Sequence, residues 1–207
     1  MSENGLFLSK KRSQMKAGAP GFARRVIADE TCAVHQSLHQ HPWISRLTLS
    51  SLEMQDYRTL LAAYYQFFSL IEQARQRNNA YDTLSVEDCL AALHADLVAL
   101  DALPPASEGK LAFLDTKEKV LGSLYVMHGS GFGGRQMNRN IEQVLPDTPR
   151  SFFGKSTNPA VWRQLNLELD IISTDREALE DLIVASKQTF ARFGEFITCY
   201  CERFGRT

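Results

Sequence analysis

Apolar side chains recur every three to four residues along almost the whole chain from Phe22 onward, which is the spacing of a helix with one buried face. Alternation of apolar and polar residues between hairpin turns, the pattern typical of β-strands, does not occur in the sequence. The spacing predicts a first helix over 22–40, a second from a cap at Ser50 or Ser51 to Arg77, and a third from a cap at Ser85 to the prolines at 104–105. It predicts three more helices, one from Thr116 onward, one over 157–173 and one over 175–204. The sequence therefore predicts an all-α fold, a bundle of at least about six helices.

Length and charge limit the classes of protein to which the chain can belong. Its 207 residues, 44% of them hydrophobic, suffice for one domain, which we place at 22–207 after a flexible basic arm at 1–21. The 23 Lys and Arg residues are balanced by 24 Asp and Glu residues, which argues against a nucleic-acid-binding surface. No apolar run reaches the ~18–20 residues of a membrane span, and we expect no export signal. Four cysteines without a C-x-x-C pair favour reduced thiols and a cytoplasmic protein.

Four glycines, Gly129, Gly131, Gly133 and Gly134, fall within six positions of an otherwise helical pattern. Each glycine in a helix interior costs about 0.5–1 kcal/mol relative to alanine, so the cluster requires a reason. It could form a loop, allow two helices to approach closely, or bring backbone against a large flat ligand. Because helical spacing resumes at Met137, we favour a kinked helix that covers a ligand. A phosphate-binding loop is rejected, since neither the motif nor a preceding strand is present.

Histidines cluster at the end of the first predicted helix. His35 and His39 are four residues apart and share a helix face, which is also the spacing of a two-histidine metal site. The residues between them lack the Glu of a zincin motif, and no E-x-x-H occurs to support a di-iron bundle. We expect His39 and His41 to be partly exposed cations near the helix end. His35 lies near Thr31 and Leu38, which predicts burial and suits a single axial ligand of haem iron.

Two segments resemble the helices that hold haem in bacterial haem oxygenases, especially the branch that supplies biliverdin to phytochromes. The segment 31–38, TCAVHQSL, resembles the proximal-helix pattern T-x-x-x-H-x-x-L. The segment 121–135, LGSLYVMHGSGFGGR, resembles the distal-helix pattern L-G-A-L-Y-V-L-E-G-S-T-L-G-G-R. The segment 152–154, Trp162 and the segment 189–193 are similar to that branch in kind and spacing.

The resemblance implies a haem-oxygenase-like helical bundle with a glycine-kinked distal helix. It implies oxidative cleavage of haem b, which is both substrate and cofactor, to biliverdin, CO and ferrous iron. The reaction would use O2 and electrons from a reductase or ferredoxin, and a bacteriophytochrome is a candidate partner. The predicted iron ligand is His35.

The remaining site residues follow from the same resemblance. The distal, catalytic side comprises Gly129, Ser130, Gly133 and Gly134. The haem-binding residues are His35, Phe132, Lys187 and Arg135, of which Lys187 is the main candidate for a haem propionate. Arg192 and Arg24 are weaker candidates for the same role.

Three positions depart from the family pattern. Ser130 stands where many haem oxygenases carry an Asp, His128 stands where the branch has Glu, and Gly131 stands where it has Thr. His128 would either ligate the iron from the distal side and compete with O2, or point away from the pocket. The last two departures favour an alternative function, a non-catalytic haem-binding sensor or carrier. A third hypothesis, an enzyme of the thiaminase type, lacks a supporting motif around Cys89, Cys199 or Cys201.

Overall fold

The computed structural model describes residues 17–103 and 109–205. Within these ranges the chain forms seven α-helices and no strand, so the all-α prediction is confirmed. The α-helices are α1 (Phe22–His39), α2 (Met54–Arg77), α3 (Glu87–Ala99), α4 (Lys117–Val144), α5 (Ser151–Gly154), α6 (Pro159–Ile172) and α7 (Arg176–Phe204). Two 3-10 helices, Ile44–Thr48 and Asp82–Leu84, connect α1 to α2 and α2 to α3. None of the described helices is long and apolar enough to span a membrane.

Local capping determines where the two longest helices begin. The Thr116 hydroxyl accepts the backbone N–H of Lys119 at 3.3 Å, which confirms the predicted start of α4. The Asp175 carboxylate accepts the N–H of Ala178 at 3.1 Å and caps α7 in the same way. These caps satisfy backbone donors that a helix leaves free in its first turn.

The predicted bounds of α2 and α3 differ from those in the structure. Ser50 and Ser51 lie in the turn after the first 3-10 helix, and α2 begins only at Met54. The Ser85 hydroxyl does accept the N–H of Glu87 at 3.1 Å, close to the predicted start of α3. That helix ends at Ala99 rather than near the prolines at 104–105, which lie outside the described residues.

The chain before α1 is held against the end of α6. Residues 1–16 of the predicted arm lie outside the described residues, but 17–21 form a turn. Gly18 and Gly21 have φ of 79° and 72°, the left-handed region that favours glycine. Their N–H groups donate to Ser173 at 3.3 Å and Asp170 at 2.6 Å, so part of the predicted arm is packed rather than free.

Helix α7 packs against α1, α2 and α4, so α1 and α4 flank the same central helix. The closest approach of α4 to α7 is at Gly122, where an added Cβ would lie 2.5 Å from the Leu182 carbonyl oxygen. The buried Ser186 hydroxyl lies 3.0 Å from the Gly122 carbonyl oxygen of α4 and 2.8 Å from the Leu182 carbonyl oxygen of α7, so its one proton is shared between the two helices. Gly122 is therefore required by helix packing.

Candidate functional site

Helix α4 runs without interruption through the glycine cluster, because all four glycines lie between its ends at Lys117 and Val144. The loop alternative for this segment is therefore wrong. The kink that the sequence suggests stays a prediction, whereas the helical course through the glycines is observed.

One face of α4 carries almost no side-chain atoms at Gly129 and Gly133. A Cβ added to Gly133 would meet no described atom within 4 Å, and one added to Gly129 would first meet the Trp162 ring at 4.0 Å. Phe132 lies beside them with 59% of its surface exposed. The backbone of α4 is thus accessible to a molecule that approaches Gly133.

The opposite side of the cluster is packed against the chain that follows α4. A Cβ added to Gly131 would lie 2.5 Å from the Thr157 hydroxyl oxygen, and one added to Gly134 would lie 3.3 Å from the Phe153 carbonyl oxygen. Gly134 is buried. Two of the four glycines therefore allow the segment around 153–157 to approach α4. Gly134 thus faces protein, although the resemblance places it with the glycines of the distal, catalytic side.

Ser130 lies at the edge of a small cavity between α3, α4 and the segment 152–161. The cavity has a volume of about 60 Å³, and Cys89 and Lys155 also line it. The Ser130 hydroxyl donates to the Met127 carbonyl at 2.7 Å. Ser130 is exposed, and its hydroxyl oxygen retains lone pairs that can accept a hydrogen bond from water.

The His128 side chain is held by a backbone carbonyl from another element. Its Nε2 atom lies 2.9 Å from the Leu84 carbonyl oxygen, which can only accept, so Nε2 carries the proton. Burial lowers the pKa of His128 and keeps the imidazole neutral. Thr157 donates to the His128 carbonyl at 3.1 Å. The His128 ring is thus bonded to the protein through Nε2 rather than free at the helix surface, and it lines the same cavity as Ser130.

His35 is exposed, so the prediction that it is buried is wrong. The buried residues of α1 are Ala23, Ile27 and Thr31, spaced four residues apart. Each four-residue step rotates the side chain by about 40° around the helix, and the next step carries His35 out of the packed face. Leu38 is partly buried instead and continues the contact with the core.

The environment of His35 nevertheless suits a ligand. Its ring lies 5.2 Å from the Phe190 ring of α7 and 5.0 Å from the His39 ring, between ring centres. Within the described residues it has these ring contacts and no hydrogen bond. Desolvation lowers the pKa of His35, and the charge of His39 lowers it further. A neutral imidazole with a free lone pair is the form that binds a metal.

Three of the four predicted cations lie in different environments. Lys187 of α7 donates to Glu30 of α1 at 2.8 Å, with 42% of the lysine side chain exposed. Arg135 is exposed on α4, just after the glycine cluster. Arg192 pairs at the surface with Glu195 at 2.7 Å. Only Lys187 has a described contact that links α1 to α7.

Trp162 of α6 contacts the same part of α4, a contact that the family resemblance does not predict. Its ring stacks on Tyr125 at 6.0 Å and meets the Phe132 ring edge at 5.0 Å, between ring centres. It thereby covers the Gly129 end of the α4 face on which Gly129 and Gly133 lie. The spacing of Tyr125, Gly129 and Phe132, which places all three on one helix face, was the available signal for this contact.

Cys89 and Cys201 do not suit nucleophilic chemistry. Burial raises the pKa of the Cys89 thiol and raises that of Cys201 to about 12, whereas a nucleophilic cysteine needs a lowered pKa. Cys199 is exposed and, like the others, free. Among the residues that the structure describes, no three His, Cys, Asp or Glu side chains are arranged to hold a metal ion.

The fold is similar to that of a known haem protein. The structure of heme oxygenase from Leptospira interrogans superposes with a TM-score of 0.66 at 17% sequence identity, covering 85% of this chain and 98% of that one. No protein-family profile matches the sequence, and no curated protein matches it. The architecture is thus the all-α fold of a heme oxygenase.

Proposed function

We propose that the protein is a haem oxygenase, which cleaves haem b to biliverdin, CO and ferrous iron. The reaction would use O2 and electrons from an external reductase or ferredoxin. Haem, when bound, supplies the iron at which O2 is reduced and the ring that is opened. The observation that carries the proposal is His35, an accessible imidazole without a described hydrogen bond, on a fold similar to that of a heme oxygenase.

In this proposal His35 holds the iron. Its lowered pKa means that no proton must be removed from the ring at neutral pH before binding. The Phe190 ring, 5.2 Å away between ring centres, restricts the orientation of the imidazole. Phe190 thus orients the His35 side chain without engaging either nitrogen of its ring.

Gly129 and Gly133 would keep the distal side free of side chains. A side chain at Gly133 would project into open space, where nothing in the described chain prevents a ligand from lying. Phe132, exposed on the same face, offers an apolar surface to a flat ring. Gly134 supports this arrangement indirectly, because it allows the segment after α4 to pack.

Lys187 would bind a haem propionate, with Arg135 as a second cation. Lys187 already pairs with a carboxylate, Glu30, which is the chemical group that a propionate presents. A half-exposed pair of this kind contributes only about 0–1 kcal/mol, so exchanging Glu30 for a propionate costs little.

Ser130 would take part in proton supply through water. Its hydroxyl oxygen can accept a hydrogen bond from water while its proton is directed to the Met127 carbonyl. Ser130 would therefore order a water molecule rather than donate a proton itself. Proton delivery along ordered water is a form of general acid catalysis.

The wider proposal concerns partners and location. The similarity of 121–135 to the phytochrome-linked branch supports a bacteriophytochrome as consumer of the biliverdin. The four free cysteines support a cytoplasmic location. Co-expression with a phytochrome tests the partner, and cell fractionation tests the location.

The alternative, a haem-binding sensor or carrier, rested on His128 and Gly131. His128 is engaged by the Leu84 carbonyl, and Gly131 accommodates Thr157, so packing accounts for both departures. These two residues therefore do not favour a protein that binds haem without turnover.

The test is an optical titration of the protein with hemin, followed by a ferredoxin system or ascorbate in air. We expect a one-to-one Soret complex that bleaches while the red absorption of biliverdin grows. A stable complex that never bleaches would favour the sensor or carrier. If no Soret complex forms, the protein does not bind haem and the proposal is wrong.

Variants then assign the residues. We expect His35→Ala to abolish the imidazole-ligated spectrum and turnover, whereas His94→Ala, a change at another exposed helical histidine, leaves both unchanged. An unchanged spectrum in His35→Ala excludes His35 as ligand. Gly133→Leu should slow ring opening more than it weakens hemin binding. Equal loss of both would contradict the distal role of Gly133.

A further inference from the structure

His41 lies just beyond α1, and both of its ring nitrogens are engaged. On the α7 side, Nε2 lies 3.0 Å from the Gly194 carbonyl oxygen and 2.9 Å from the Thr198 hydroxyl oxygen. On the other side, Nδ1 lies 3.3 Å and 3.4 Å from the backbone nitrogens of Trp43 and Ile44. The ring therefore joins the turn after α1 to the last third of α7.

These contacts allow only one form of the imidazole. The Gly194 carbonyl accepts, so Nε2 must carry a proton, and the N–H groups of Trp43 and Ile44 donate, so Nδ1 must not. His41 is consequently neutral, and its pKa is lowered by burial while the hydrogen bond to Gly194 partly opposes this. The expectation that His41 is a cation favoured by the helix dipole is wrong, because the described contacts need a lone pair at Nδ1.

The same part of α7 contacts α1 at two further points. A Cβ added to Gly194 would lie 3.1 Å from a Leu38 methyl group and 3.6 Å from the His41 ring, so the glycine permits this close approach. One turn earlier on α7, the Phe190 ring lies against His35. The position of His35 over Phe190 therefore depends on how the end of α1 is docked on α7.

We propose that His41 is a positioning residue for His35, which it orients by fastening the end of α1 to the Gly194 carbonyl. The proposal rests on the proposed function, in which His35 holds haem iron. His41 does not touch the ligand. It acts through Leu38 and the α1 backbone, and the decisive contact is the hydrogen bond from Nε2 to α7.

Two amide variants separate the two sides of the ring. His41→Gln places an amide N–H at about the reach of Nε2 and keeps the donor toward Gly194. His41→Asn places an amide oxygen at about the position of Nδ1, so it keeps the acceptor for the turn and loses the link to α7. Thr198→Val is a milder second variant that removes only the hydroxyl contact.

Two readouts are used with each full-length variant. One is hemin affinity and the spectrum of the ferric complex. The other needs no haem: the NMR chemical shift of the His35 ring protons at about pH 8, where a free imidazole is neutral. This shift reports the ring current of Phe190 and thus the position of His35.

We expect His41→Asn to move the His35 resonance and to weaken hemin binding several-fold, up to about tenfold, as the loss of one hydrogen bond allows. His41→Gln should restore both values to near wild type, and Thr198→Val should show a smaller change in the same direction. Unchanged values in both His41→Asn and Thr198→Val, or a larger loss in His41→Gln than in His41→Asn, would overturn the proposal. If wild type binds no hemin but His41→Asn still moves the His35 resonance, the positioning role stands and the proposed function fails.

Discussion

Two glycine-to-alanine substitutions on α4 should have opposite effects on stability, although their chemistry is identical. At Gly133 an added methyl group meets no described atom within 4 Å. At Gly122 the same methyl group would lie 2.5 Å from the Leu182 carbonyl oxygen and 3.2 Å from both Ala185 Cβ and Ser186 Oγ. The two positions share a helix and differ in their surroundings.

The magnitudes follow from these distances. Gly133→Ala gains the helix propensity of alanine, about 1 kcal/mol, with no steric cost. Gly122→Ala gains the same amount but forces α4 and α7 apart, since the nearest obstacle is backbone. Overpacking costs about 1–3 kcal/mol, and the hydrogen bond from Ser186 to Gly122 contributes roughly 1 kcal/mol more. The net expectation for Gly122→Ala is a loss of about 1–3 kcal/mol.

The assay is equilibrium unfolding of the haem-free protein in urea, with thermal unfolding as a second measurement. Gly133→Ala should raise the melting temperature by about 2–4 °C, the shift that 1 kcal/mol produces in a protein of this size. Gly122→Ala should lower it by a similar or larger amount. A lower melting temperature for Gly133→Ala would show that the face of α4 at Gly133 is not accessible. An unchanged melting temperature for Gly122→Ala would show that α4 and α7 do not approach closely at Gly122.

Two further predictions concern buried polar groups. Asp96 is 1% exposed and accepts the N–H groups of Ser151 and Phe152 at 2.8 Å and 2.9 Å. Asp96→Ala should therefore lower the free energy of unfolding, measured in urea, by about 2–4 kcal/mol. A loss below about 1 kcal/mol, the size of a surface change, would contradict this. Burial lowers the pKa of His128 in the folded protein. When the pH is lowered past the ordinary pKa of histidine, the unfolded chain binds a proton that the folded chain does not, so the free energy of unfolding decreases as the pH is lowered. His128→Gln, which keeps a donor for the Leu84 carbonyl, should make this fall shallower, and an unchanged slope between about pH 7.5 and 5.5 would show that His128 does not titrate as argued.

The long helices could be predicted because each contains several turns of regular apolar spacing and a recognisable cap. Thr116 and Asp175 cap α4 and α7, and both helices begin where the sequence predicts. The short elements could not be predicted, because a segment such as Ser151–Gly154 is one turn long and displays no period. It is held by Asp96, which lies far away in sequence and carries no local signal.

Within the candidate site, the sequence indicates which residues share a helix face but not what lies opposite that face. Gly131 and Gly133 are two residues apart and therefore point in nearly opposite directions. Only the course of the chain after α4 decides that Thr157 approaches Gly131 while Gly133 stays open. The expected burial of His35 was wrong for a related reason, because four-residue steps drift around the helix.

Packing within the described protein does not explain two features, Gly133 on α4 and the exposed His35 on α1. Gly131 and Gly134 are accounted for by the backbone and hydroxyl that approach them, whereas Gly133 costs about 1 kcal/mol relative to alanine with no described contact to offset it. His35 likewise has a lowered pKa and ring contacts but no hydrogen bond within the described chain. These residues lie on α4 and α1, which both pack on α7. Under the proposed function, both features would have one cause, because His35 would hold haem iron and Gly133 would leave room for the ring.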